Sequence, residues 1–250
     1  NTTGDTNVAV GYRSMDANTT GTNNVGVGDN TLGANTTAAN NTAVGSQALG
    51  LNTTGTGNTS VGSYSLDANT TASNTALGRS ALTANTTASN NVAVGKDAML
   101  ANTTGVQNVA IGALALDAQE TSNNNVAVGY SSLSANTTGG NLTAVGLQSL
   151  NANTTASNNT AVGTNALLSN TTGSSNTAVG SLALDANTTA GYNTAVGSGA
   201  LGAATSGANN TAMGYLAGTA ITTGEYNVAL GIYALDANTT ASYNVAVGSH

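Results

Sequence analysis

The sequence predicts an all-β fold, a parallel β-solenoid of about fifteen coils with a period of 17 residues. Three observations predict it. A glycine recurs at Gly11, Gly28, Gly45, Gly62, Gly78, Gly95, Gly112, Gly129, Gly146, Gly163, Gly180, Gly197, Gly214, Gly231 and Gly248, always 17 residues apart except for one step of 16 from Gly62 to Gly78. Around it runs the consensus N-(V/T)-A-V-G-x-x-A-L-x-A-N-T-T-(G/A)-x-N. The composition has no Pro, Cys, Trp or Phe and only 5% charged residues. It suits neither an ordinary globular core nor a disordered chain, which carries more charge and proline.

Each stretch of the repeat has its own expected element. The triplet before the glycine, as in Val8-Ala9-Val10, reads as a short strand of alternating faces. Its middle position is Ala except at Gly26 and Ser60. That column reads as an outer face kept small because something packs on it. A solvated face would drift to Lys or Glu. Four residues after the glycine stands Leu or Met, except at Gly218, and six after it mostly Ala. This predicts a second strand, with Asp16, Asp67, Asp117, Asp185 and Asp236 between those positions facing water. The repeated glycine at the intervening corner suits a left-handed backbone angle or a close approach to the next coil.

The Asn-Thr-Thr segment reads as the other turn, and its exceptions set the facing. Gln119-Glu120-Thr121 places a charge at the middle position, and Ile221-Thr222-Thr223 places an aliphatic at the first. The first position therefore faces inward. Asn18, Asn35, Asn52, Asn69, Asn85, Asn102, Asn136, Asn153, Asn170, Asn187 and Asn238 form an expected internal ladder, each amide bonding to the next coil about 4.8 Å away. A second Asn column stands four before the glycine, at Asn7, Asn24, Asn41, Asn58 and onward, interrupted by Leu142. The middle position gives a candidate exposed Thr column for ice or O-linked sugar: Thr19, Thr36, Thr53, Thr70, Thr86, Thr103, Thr137, Thr154, Thr171, Thr188 and Thr239. The residue after Asn-Thr-Thr alternates Gly and Ala, as in Gly21, Ala38, Gly55 and Ala72, which suggests duplication of a double unit.

The motif Asn7-Val8-Ala9-Val10-Gly11, with its successors and the following x-x-A-L, resembles the head repeats of trimeric autotransporter adhesins, the YadA-like family. It also resembles repeats of bacteriophage tail fibres. The resemblance spans the whole chain and implies a left-handed β-roll, homotrimeric, with three chains side by side. The family's repeat is usually shorter, and the added Asn-Thr-Thr segment enlarges one turn here.

Several function classes are excluded at this level. Ten acids against three bases give a net charge of −7, with no basic patch for nucleic acid. No apolar run approaches the roughly 18 residues of a membrane span. The single His is His250, there is no Cys, and the acids are scattered, so the unlike groups that catalysis needs do not converge. The chain is read as no enzyme and as needing no cofactor or metal. The glycines never form the G-G-x-G-x-D of calcium-binding nonapeptides. Glycans on every Asn-x-Thr would crowd at the coil spacing. Tyr12, Tyr64, Tyr130, Tyr192, Tyr215, Tyr226, Tyr233 and Tyr243 stand mostly at variable corners, where they fill grooves between chains or stack on sugars or partners.

The expected function is a structural or adhesive extracellular fibre segment, a stiff rod for surface attachment or a filament. The alternative is a monomeric ice-binding or carbohydrate-binding solenoid. Residues 1–250 read as a single repeat array, a fragment of a longer fibrous protein, since the chain starts inside a repeat. The expected partners are further copies of itself, as homotrimer or end-to-end filament, and a host-surface glycan or protein. The expected location is extracellular, on a cell surface or virion fibre.

Overall fold

One three-residue strand per repeat is the regular element of this chain, and everything between strands is turn. A computed structural model describes residues 1–249; His250 lies outside the described residues. The chain forms two compact units, Asn1–Asn124 and Asn125–His250. The first holds β1 (Val8–Val10), β2 (Val25–Val27), β3 (Thr42–Val44), β4 (Thr59–Val61), β5 (Thr75–Leu77), β6 (Val92–Val94) and β7 (Val109–Ile111). The second holds β8 (Val126–Val128), β9 (Thr143–Val145), β10 (Thr160–Val162), β11 (Thr177–Val179), β12 (Thr194–Val196), β13 (Thr211–Met213), β14 (Val228–Leu230) and β15 (Val245–Val247). Within each unit every strand pairs in parallel with its sequence neighbours and in exact repeat register, as in Thr160↔Thr177, Ala161↔Ala178 and Val162↔Val179. The all-β parallel solenoid expected from the repeat is therefore the fold.

Two expectations about the coil are corrected. The segment carrying Leu is no second strand. Its six residues form a ribbon of turns in which the second and fourth positions after the glycine take positive φ, such as Gln47 at 58° and Leu49 at 51°. A left-handed angle costs an L-residue about 1–2 kcal/mol. Burying the leucine offsets this, at about 1.5–3 kcal/mol, and the turned backbone still bonds to both neighbours. Gln47 N–H donates to Asp29 C=O of the preceding coil at 2.9 Å, and Leu49 N–H to Ser65 C=O of the following coil at 3.1 Å.

The strand faces are also the reverse of the expectation. The Ala column points inward and is fully buried from Ala43 to Ala212, while the flanking Val, Thr, Leu and Met columns point outward. The cause is a thin interior. A Cβ added at Gly26 would lie 2.7 Å from Ser14 Oγ and 3.0 Å from Met15 Cε, so the strand's middle position looks straight at the turn ribbon. With a leucine already entering from the ribbon, a methyl is all that fits opposite. The one coil lacking that leucine shows the same accounting. A Cβ at Gly218 would meet Ile221 Cδ1 at 3.1 Å, so the fully buried Ile221 fills the space the leucine leaves.

The corner glycine meets both demands read from the sequence. Gly163 has φ 134°, open to glycine alone, and a Cβ there would lie 2.5 Å from Gly180 C=O of the next coil. The one-residue deletion is absorbed in the Asn-Thr-Thr corner. Thr71 C=O there accepts from Asn69 Nδ2 at 2.8 Å and Asn58 Nδ2 at 2.7 Å, the role that Ala38 or Gly55 C=O plays in other coils. The strands on either side stay in register, Ser60 against Ala76.

The facing makes a direct prediction. Ala178→Leu, at the inner position, is expected to cost about 1–3 kcal/mol or more by overpacking. Val179→Thr, one residue along and outward, is expected to stay within about 0.5 kcal/mol. Urea unfolding monitored by circular dichroism checks both, and equal losses would refute this facing.

Candidate interaction surfaces

The interior is polar along one side, and both Asn columns explain how. Each Asn of the first column uses its amide NH₂ twice. Asn170 Nδ2 donates back to Asn153 Oδ1 at 3.1 Å and forward to Gly173 C=O at 2.9 Å. Asn187 repeats this with Asn170 at 2.8 Å, as Asn35 does with Asn18 at 2.8 Å and Asn102 with Asn85 at 3.1 Å. Gln119 serves in the same place, reaching Asn102 Oδ1 at 3.4 Å and Ser122 C=O at 3.1 Å. Asn238, near the end of the chain, is half-exposed and bonds to Ala241. The ladder meets a gap at Ala204, a departure from Asn-Thr-Thr alongside Gln119 and Ile221. Asn187 Oδ1 is accordingly buried without a partner.

The second Asn column joins coils through the main chain. Asn24 Oδ1 accepts the N–H of Asn41 at 3.0 Å, and its Nδ2 donates to Ala38 C=O at 2.8 Å. Where Leu142 replaces Asn, its N–H still donates to Asn125 Oδ1 at 3.0 Å. Glycine at this corner lies close to the backbone of the next coil. A Cβ at Gly21 would lie 2.3 Å from Ala38 C=O and 2.4 Å from Asn18 Oδ1, and Gly4 and Gly207 meet the carbonyls of Gly21 and Gly224 in the same way.

The Thr column is corrected in part. The two threonines sit in a turn and do not alternate across a strand. The middle one is exposed at Thr19, Thr53, Thr70, Thr86 and Thr239 but half-buried at Thr36, Thr103, Thr137, Thr154, Thr171 and Thr188. Its hydroxyl is spent on the next coil: Thr19 donates to Thr36 C=O at 2.9 Å and Thr171 to Thr188 C=O at 2.9 Å. The third position, as at Thr37, Thr138 and Thr172, is exposed in every coil but that of the deletion, where Thr71 is half-buried.

From Asn18 to Asn187 the asparagines of this column are buried and closed to sugar in the folded chain, whereas Asn238 is half-exposed.

The aspartates between the Leu and Ala positions are likewise less exposed than expected. Asp16 is exposed, but Asp67, Asp117, Asp185 and Asp236 are half-buried. Asp67 lies over Gly50 and Asp185 beside Gly202, where small neighbours let the carboxylate settle on backbone. Burial raises both carboxyls above the ordinary 3.8.

The outward strand face is the broadest uniform surface. Its two columns, such as Thr160 with Val162 and Val109 with Ile111, carry no charged side chain in any of the described strands. Charges gather elsewhere: at the glycine corner the half-buried Asp97 lies 3.3 Å from the exposed Lys96 and 3.7 Å from the exposed Arg79. Aromatics crowd the last coils, with Tyr215 and Tyr233 edge to face at 5.6 Å and Tyr226 and Tyr243 stacked at 5.1 Å. Among the described residues no pocket opens, no group of His, Cys, Asp and Glu gathers for a metal, and no helix is long and apolar enough to cross a membrane.

No family model, no curated protein and no solved structure matches this chain. The reading of its surfaces therefore rests on their own chemistry.

Two outcomes follow from the polar interior. Asn170→Ala is expected to cost about 2–4 kcal/mol, because it strands the amides of Asn153 and Asn187 as well as losing its own bonds; thermal unfolding measures it. For the aspartates, the folded carboxyl binds its proton more readily than the unfolded one. Their penalty is present when ionised at neutral pH and is relieved as pH falls through the folded value toward 3.8. Asp67→Asn and Asp185→Asn should therefore raise the neutral-pH melting temperature and flatten its rise as the pH is lowered toward 3.8. An unchanged pH profile would count against the burial of these groups.

Proposed function

We propose that the chain is a segment of an extracellular fibre, a stiff β-solenoid used for surface attachment or as a filament. The observation that carries this reading is the charge-free outward strand face, repeated in every described coil. A strand without charge on either face, apolar in one outward column and Val or Thr in the other, suits covering on both sides. Here the inner Ala side is already covered by the coil itself, so the outer Val and Thr side is the one left for like chains. This replaces the Ala column as the contact between chains and keeps the three-chain arrangement that the repeat's resemblance implies. Coil-to-coil bonding supports the mechanical role. Strand, ribbon and corner each bond to the neighbouring coil, so stiffness does not depend on one joint.

A second reading has its own observation. Thr143, Thr160, Thr177, Thr194 and Thr211 stand in register on five successive strands, with aliphatic side chains in the parallel column. Two outward columns at coil spacing suit a monomeric surface that orders water on ice, on a different face from the Asn-Thr-Thr corner.

Light scattering on a size-exclusion column separates the two. A mass near three times 24.0 kDa, with rods in negative-stain micrographs, is the expected result. Val162→Lys and Val196→Lys together should then release the single chain. A wild-type mass of 24.0 kDa would overturn the self-associating fibre and make thermal hysteresis the next measurement.

A further inference from the structure

One edge of the second unit carries an aromatic ladder with a rung missing. The position just before the second Asn column is Tyr192, Asn209, Tyr226 and Tyr243 on four successive coils. All four share one backbone conformation, with φ of 60°, 59°, 56° and 63°. Each donates its N–H to the coil before it: Tyr192 to Ser174 at 3.1 Å, Asn209 to Gly191 at 3.3 Å, Tyr226 to Ala208 at 3.3 Å and Tyr243 to Glu225 at 3.0 Å. Identical backbone geometry launches the four side chains in the same direction. Where two tyrosines occupy adjacent coils they stack, Tyr226 on Tyr243, with centroids 5.1 Å apart and planes 3° from parallel. Tyr192 and Tyr226 stand two coils apart, or about 9.6 Å at the strand spacing.

We propose that Tyr192, Asn209 and Tyr226 form a slot for one neutral pyranose ring. A ring lying on the Asn209 rung would be about 4.8 Å from each tyrosine, inside the 4.5–7 Å range at which rings stack. The small residues Gly191 and Ala208 occupy the preceding column on those two coils. A side chain at Gly191 would collide with Ser174 C=O, 2.6 Å from its Cβ. Tyr192 is 70% exposed and Tyr226 47%, so both faces of the slot are reachable.

The chemistry selects a sugar. The C–H bonds on the faces of a pyranose are weakly positive and meet the negative π-faces of the tyrosines. Its rim of hydroxyls needs donors and acceptors. Asn209 supplies both from the floor, and the exposed Glu225, next to Tyr226, supplies an acceptor. A polyanion is disfavoured by Glu225 and by the net charge of −7, the three basic residues all lying in the first unit. The proposal adds a ligand class to the fibre reading, and the two fail separately: rods that bind no sugar overturn the slot alone, and a sugar-binding monomer overturns the fibre alone.

The test uses the full chain and neutral trisaccharides of glucose, galactose, mannose and N-acetylglucosamine as probes, read by saturation-transfer NMR and titration calorimetry. At least one is expected to bind. Tyr192→Ala and Tyr226→Ala should each weaken it tenfold or more, and Tyr12→Ala, in the other unit, should leave it unchanged. Asn209→Tyr is the decisive variant. It fills the rung with a stacked ring, so it should abolish binding with no fall in melting temperature. Binding by Asn209→Tyr at wild-type strength, or transfer from none of the four trisaccharides to the wild type, would overturn the proposal.

Discussion

The contact between successive corner glycines is the constraint on which the rest of this structure depends. From Gly11 to Gly95 and from Gly129 to Gly231, each places its backbone where a Cβ would lie within about 3 Å of the next coil's carbonyl group, as Gly146 does against Gly163 at 2.4 Å. With φ held near 140° there, no other residue combines the angle with the approach. Once that corner is fixed, the strand entering it falls in register with its neighbour, and the whole repeat inherits the spacing. Stability is thereby distributed along the coils as near-neighbour terms.

The interior that results is too thin for a conventional apolar core. Facing walls are filled by one leucine, two small residues and two amides per coil, and the amides are affordable because the stack supplies their partners. A lone buried asparagine would leave donors and acceptors unmet at about 1–3 kcal/mol each. A column of them meets those needs rung by rung. The exceptions behave as this account requires: Gln119 keeps the bonds, Ile221 exchanges them for volume lost at Gly218, and Ala204 leaves Asn187 Oδ1 unpaired.

Function is organised by the same logic. Repetition writes any surface feature as a row, so within each unit the outward Val and Thr columns form a continuous strip. A localised site requires a break in repetition. Such breaks are concentrated in the last coils of the second unit, which hold Tyr192, Tyr215, Tyr226, Tyr233 and Tyr243.

The sequence by itself determined the period, the glycine corner, the inward Asn and the parallel all-β stack. These are legible because identical residues at fixed spacing must meet one another, whatever the path of the chain between them. Which side of the strand faces in was decided by the tertiary structure alone. Ala alternating with Val reads equally well in either direction, and only the room left opposite Met15 and its successors resolves it. The turn ribbon was hidden for a similar reason. Leu at positive φ contradicts local preference, and it is held there by burial and by bonds to both neighbouring coils. The spacing of Tyr192 and Tyr226 around Asn209 likewise has meaning only in the stack, where residues 34 apart in sequence stand two coils apart in space.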